Sequence, residues 1–267
     1  MAKVKGKPVD NSTKALTNWD AELAAAAEAS AKVAAEQEGG GAKRITIRGG
    51  QMSIGENAVP GNTLVGIVCA FTMHNKFFTK EYDADEPSSP DCYAYGDSND
   101  EMGPHDDAED KQSTKCDGCP QNEFGSADKG KGKACRNTFQ LLVLSVGTYD
   151  HKSDDFDAPT EAEDIEDAEA YMLSIPPTSL KAWSAYVKKM AGNLRPPWAC
   201  FTTISVTPDP KTQWKLNFAN CENIPASMLQ AAKIRHEQGQ KDLVVAYPKN
   251  SEREKPVAKG KPGKKRY

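Results

Sequence analysis

The sequence predicts a mainly β fold of the α+β class, a small β-barrel or sheet with one or two packed helices. Three observations carry this. Apolar or alternating runs recur between Gly- and Pro-rich turns, at Arg44–Arg48, Leu64–Phe71, Thr138–Val146, Ala170–Ile175 and Trp198–Val206. Only two segments after residue 43 have helical periodicity. Strands and helices do not alternate, so a parallel α/β sheet is not expected.

Residues 1–43 read as an N-terminal arm. Met1–Asn11 is rich in Lys, Pro and Gly, and Asn18 caps an Ala-rich helix that Gly39-Gly40-Gly41 ends. Residues 44–224 read as the core. Arg44–Arg48 alternates apolar and polar, Gly49-Gly50 is a bulge or turn, and Gln51–Ile54 resumes the strand. Pro60-Gly61-Asn62 turns the chain into the apolar run Leu64–Phe71. A polar insertion spans residues 83–135. Thr138–Val146 and Ala170–Ile175 are further core strands. Thr178 or Ser179 caps a helix whose Leu180, Trp183, Tyr186, Val187 and Met190 form one apolar stripe, and Gly192 ends it. Trp198–Val206 and Trp214–Phe218 make a strand pair about a turn at Pro208–Lys211. Residues 225–267 read as a short helix, Pro225–Gln238, and a basic tail expected to be disordered from Lys249.

The 267 residues carry 34 Lys and Arg against 38 Asp and Glu, a formal charge of −4. That balance conceals segregation. Glu81–Asp110 holds 12 acidic residues and no Lys or Arg, and Asp150–Ala170 holds 10 with only Lys152. Without these segments, 33 basic residues face 16 acidic ones. A basic body with two acidic segments can bind a polyanion, with the acidic segments either solvated or restraining it. No run approaches the ~20 apolar residues of a membrane helix, and the N-terminus lacks the apolar stretch of a secretory signal. No membrane partner is expected.

Seven cysteines divide into two groups. Cys69, Cys200 and Cys221 fall in strand patterns and read as structural thiols. Cys92, Cys116, Cys119 and Cys135 lie in or at the end of the polar insertion, with Cys116-Asp-Gly-Cys119 forming a CxxC knuckle. Four thiols in a segment with no core of its own point to a structural Zn²⁺ that staples it. A redox CxxC pair and unrelated free thiols are the other readings, and His105 could stand in for Cys92. Four thiolates leave no open position for a reacting water, so the site is not expected to be catalytic. No catalytic set emerges elsewhere, since His74, His151 and His236 lack a nucleophile pattern. The protein is not expected to be an enzyme.

Single-stranded nucleic acid is held by a basic groove with aromatic platforms. Lys76-Phe77-Phe78-Thr79-Lys80-Glu81-Tyr82 interleaves the two. On a strand, Phe78, Lys80 and Tyr82 would share a face. Lys131, Lys133 and Arg136 flank the fourth cysteine, Arg44 and Arg48 alternate with Ile45 and Ile47, and Trp198, Trp214 and Lys215 lie on the later strands. The competing reading for the aromatics is ordinary core. The tail adds seven Lys or Arg against two Glu in Ser251–Tyr267, suited to non-specific phosphate contacts.

Asn75-Lys-Phe-Phe78, then Cys92, the knuckle Cys116-Asp-Gly-Cys119-Pro-Gln-Asn-Glu-Phe-Gly-Ser126, Gly130-Lys-Gly-Lys-Ala-Cys135-Arg and Pro177-Thr-Ser-Leu-Lys-Ala-Trp183-Ser-Ala-Tyr186 follow in order. Over Arg44–Asn220 this resembles phage-encoded single-stranded DNA-binding proteins with an OB-like barrel and an embedded zinc loop. The resemblance implies an OB-fold core, structural zinc, and a role in DNA replication or recombination of a bacteriophage. It also implies single-stranded DNA and replication or recombination proteins as partners, in the cytoplasm of the infected host cell. Such proteins often end in an acidic recruiting tail, and this chain ends basic. Two rivals stand beside this reading: a zinc-loop protein-interaction module of a phage replication, transcription or virion complex, and a metal-dependent nuclease using the acidic segments.

Overall fold

The computed structural model describes residues 43–80 and 88–250. The N-terminal arm, Tyr82 and the tail beyond Asn250 lie outside the described residues.

The first strands follow the alternation of the sequence. β1 (Lys43–Arg48) and β2 (Gln51–Ile54) form a tight antiparallel hairpin, Arg48 opposite Gln51. The turn needs positive φ at both central residues, and Gly49 and Gly50 supply 58° and 83°. β3 (Asn57–Ala58) extends this edge. β4 (Thr63–Phe77) is the spine of the sheet. One edge of it pairs along its length with β6 (Arg136–Ser145). Its other edge is shared, with β10 (Cys200–Asp209) on Thr63–Gly66 and β5 (Cys92–Gly96) on Met73–Phe77. β9 (Ala170–Ile175) pairs β6, and β11 (Gln213–Asn223) pairs β10. The sheet runs β11-β10-β4-β6-β9-β1-β2-β3, with β5 added beside β4. Every pairing is antiparallel except β1 on β9. β7 (Thr148–Asp150) and β8 (Asp155–Asp157) form a separate ribbon.

This mainly β sheet is curled. Gly50 lies near one end of the strand order and Trp214 at the other, yet a Cβ on Gly50 would meet the Trp214 Cβ at 3.9 Å. The curl gathers alternate side chains of both ends into one core: Ile45, Met52, Leu141, Val143, Leu173, Ile175, Ile204 and Leu216. α2 (Leu180–Gly192) closes this face with Trp183, Tyr186 and Met190. Phe71 meets Trp183 edge-on at 5.2 Å, and each such large side chain contributes about 1.5–3 kcal/mol through burial. α1 (Ala162–Glu166) is a single short turn holding Ile165 inward. α3 (Leu229–Asp242) covers the opposite face. Gly239 lets it sit close, because a Cβ there would stand 3.0 Å from both Cys69 Sγ and Leu142 Cδ2.

Several expectations need correction. The insertion contains a strand, β5, which pairs the edge of β4 at Met73–Phe77 and packs Ala94 with Met73 and Met102. The second acidic segment folds into the β7–β8 ribbon and α1. Neither Thr178 nor Ser179 caps α2 through its side chain. The Ser179 hydroxyl instead accepts the Leu216 backbone N–H at 2.9 Å, tying helix to sheet. Pro208 and Asp209 belong to β10, and Trp198 sits in a 3-10 turn ahead of that strand. β4 ends at Phe77, so Phe78 and Lys80 follow the strand rather than sharing a face of it. The sequence places the onset of disorder at Lys249, yet the next residue is held in place. Asn250 donates its backbone N–H to Glu109 and its side-chain amide to the Ser89 carbonyl.

Candidate functional site

The β4–β5–β6 ribbon carries the chemistry-bearing residues. Register places Cys92 opposite Phe77, and Lys76 opposite both Tyr93 and Arg136. Cys135 immediately precedes β6. Two strand ends thus deliver Cys92 and Cys135 to one place. The knuckle joins them through backbone pairings. Cys116 donates its N–H to Met102 carbonyl at 2.9 Å, and Cys135 donates to Gln121 carbonyl at 2.7 Å. Asn122, itself buried, donates its amide to the Cys116 carbonyl at 2.8 Å. Gly118 takes φ 68°, the left-handed turn the knuckle needs.

All four cysteines line one cavity of ≈ 20 Å³, together with Asn75, Tyr93 and Asn122. A volume of about 10–15 Å³ suffices for a single water-sized occupant. His105 does not line it. That ring stacks on Tyr93 at 4.9 Å, and its Nδ1 lies 3.1 Å from the Tyr93 hydroxyl. Burial raises the Cys92, Cys116 and Cys135 thiols, Cys135 to about 12, and the neighbouring thiols add to the rise. A bound divalent ion would favour the thiolate form of thiols packed this closely. Four thiols are the donor type that a structural metal takes. Among the described residues, no group of three or more His, Cys, Asp or Glu side chains is placed so that it could hold a metal ion.

Cations surround this end of the sheet. Lys76 is half-buried, and burial pushes its ammonium down to about 8, with Arg44 and Arg136 adding to the effect. Arg136 lies over the Phe78 ring at 5.6 Å, and Lys133 over the Phe124 ring at 5.1 Å. Among the described residues, no carboxylate forms an ion pair with Arg44, Lys76 or Arg136. Lys131 is exposed on the same loop as Lys133. Among the sequence candidates, Arg44 and Arg136 lie close to Lys76, Arg136 covers Phe78, and Lys131 and Lys133 share the Cys119–Cys135 loop; none of these six lines the thiol cavity.

The remaining candidates lie elsewhere. Trp198 stacks on His236 of α3 at 5.5 Å, which makes it a packing residue. Trp214 packs against the main core, and Lys215 is exposed beside it on β11. Arg48 sits at the β1–β2 turn. Lys80 is exposed after β4, and Tyr82 lies outside the described residues. Cys69 and Cys200 are buried, and burial pushes the Cys69 thiol up to about 12. Both are packing thiols, as expected.

Sequence reasoning missed an aromatic set on the second face of the sheet. His74 is fully buried, stacks on Tyr95 at 4.3 Å and lies 5.8 Å from Tyr247. Neither ring nitrogen has a hydrogen-bond partner, and burial pushes its pKa down to about 2, so the ring is neutral. Tyr247 donates its backbone N–H to the Tyr93 hydroxyl, and Tyr95 donates its hydroxyl to Val245 carbonyl. The segment after α3 is thereby strapped across β5. Nothing local in Val244–Asn250 signals this, because its partners are some 150 positions away. Phe124 was also missed, although an aromatic in a loop with no core was a readable signal. Comparison with family models, curated proteins and solved structures gives no match to this chain.

Proposed function

We propose that this chain is a non-enzymatic single-stranded DNA-binding protein of phage DNA replication or recombination, with an OB-like barrel and one structural Zn²⁺. Cys92, Cys116, Cys119 and Cys135 would hold the ion, which would staple the insertion to the ends of β4, β5 and β6. One observation carries the reading: Lys76 and Arg136 are register partners on β4 and β6, Arg44 lies near enough to add to the Lys76 shift, and none of the three has an ion-pair partner among the described residues. Mutual repulsion among cations costs stability, and an anionic backbone laid across them would relieve it. Phe78 beside Arg136 adds an aromatic surface of the kind bases stack on.

The deciding experiment measures binding of fluorescent single-stranded and duplex DNA across a salt series, with zinc content determined on the same sample. The expected result is tighter single-strand binding, about one zinc per chain, and affinity falling with log-log slope of roughly −2, as about three neutralised phosphates require. Salt-insensitive or absent binding overturns the reading. One observation favours the alternative of a zinc-loop protein-interaction module: Trp214 is engaged with the core and unavailable as a platform. That module would hold zinc yet show no oligonucleotide binding.

A further inference from the structure

We infer that Phe124 is a base-stacking platform carried on the tip of the Cys119–Cys135 loop, taking an unpaired nucleobase on its open face. This rests on the proposed single-strand binding and names a contact point within it. The Phe124 side chain is 84% exposed, the largest exposure of any aromatic among the described residues. A lone exposed apolar residue is ordinary on a protein surface. Three features set this one apart.

First, the loop bearing it is built, not slack. Gly125 donates to the Gly132 carbonyl at 2.8 Å, with Gly125 at φ 92°. The Ser126 hydroxyl donates to the Gln121 and Glu123 carbonyls and accepts the Ala134 N–H at 2.9 Å. Such cross-bracing removes most of the ordering cost that a flexible tip would incur on binding. Second, the ring is oriented from one side. Lys133 Nζ lies 5.1 Å from its centroid and 3.3 Å from Asn122 Oδ1, which fixes the ammonium. One face is thus held by a cation and the other is free to stack. Third, the same arrangement recurs where the loop rejoins the sheet, with Arg136 over Phe78. Two aromatic–cation pairs at the two ends of residues 124–136 suit a chain that alternates flat bases with anionic phosphates. A protein surface would match neither the repeat nor the charge so directly.

The test uses the full-length, zinc-replete protein and oligo(dT). Phe124→Ala should weaken binding by about 5- to 150-fold, the range a single base–aromatic stack supplies, with an unchanged salt slope because no phosphate contact is lost. Phe124→Trp should restore affinity, and its added fluorescence should be quenched by oligo(dT) but not by inorganic polyphosphate, which has charge without bases. Because the side chain is exposed, zinc content and thermal unfolding should match the wild type. If wild-type protein binds oligo(dT) while Phe124→Ala binds equally well, this inference fails alone. If wild-type protein does not bind, the proposed function fails with it.

Discussion

Lys76 on β4 and Arg136 on β6 are register partners, two cations side by side across a strand pair. Like charges placed opposite each other destabilise a sheet. Burial holds the Lys76 ammonium down to about 8, against an ordinary 10.5. Between those values the unfolded chain binds a proton that the folded chain has released. Stability from this residue therefore rises with pH across about 8 to 10.5. Lys76→Met removes the effect. The denaturant midpoint of the wild type, taken relative to Lys76→Met, should climb over that window. Parallel pH curves for the two proteins would refute the assignment. The same variant should reduce the single-strand salt slope by about 0.7, one phosphate contact.

The thiol cavity makes a separate prediction. Cys135→Ser should lose stoichiometric zinc, and chelation of the wild type should lower its stability by about 3 kcal/mol or more, the linkage energy of a tightly bound ligand. Cys221→Ser, on part-exposed β11, should keep its zinc. Metal analysis after purification without chelator, followed by thermal scans, checks both. Equal zinc in Cys135→Ser and the wild type would remove Cys135 from the ligand set.

The strands were legible because their alternation is local: β9 spans the predicted Ala170–Ile175, and β1 begins one residue before Arg44. The four cysteines that the sequence groups in one polar segment do line one cavity. Long-range partnerships were not readable. Cys92-Tyr-Ala-Tyr-Gly96 becomes a strand only because β4 runs past β10 and leaves an edge free. Trp198 and Trp214 carry platform-like side chains, but His236 and the curled sheet occupy them.

Ser179 shows how a capping signal can serve another purpose. Its side chain is buried, and its hydroxyl accepts the Leu216 N–H from β11. Ser179→Ala would leave that buried donor without a partner, at a cost of about 1–3 kcal/mol. Thr178 is exposed and should tolerate Ala within about 0.5 kcal/mol. Equilibrium denaturation of the two variants separates a helix-to-sheet tie from a helix cap, because a cap at either position would give comparable losses.

Gly239 and Gly192 make a matched pair on two helices. Ala is favoured over Gly inside a helix by about 1 kcal/mol, so propensity alone predicts that both substitutions stabilise. At Gly192 a Cβ meets nothing within 4 Å, and Gly192→Ala should be neutral or stabilising by a few tenths of a kcal/mol. At Gly239 the added methyl would press on Cys69 Sγ and Leu142 Cδ2 at 3.0 Å and on Ala70 Cβ at 3.2 Å. Those neighbours are buried in β4 and β6 and cannot swing away. Overpacking of this kind costs about 1–3 kcal/mol, which exceeds the propensity gain. Gly239→Ala should therefore lower stability and speed amide exchange in α3. A Gly239→Ala variant as stable as Gly192→Ala would mean that α3 is held less closely on the sheet than the structure places it.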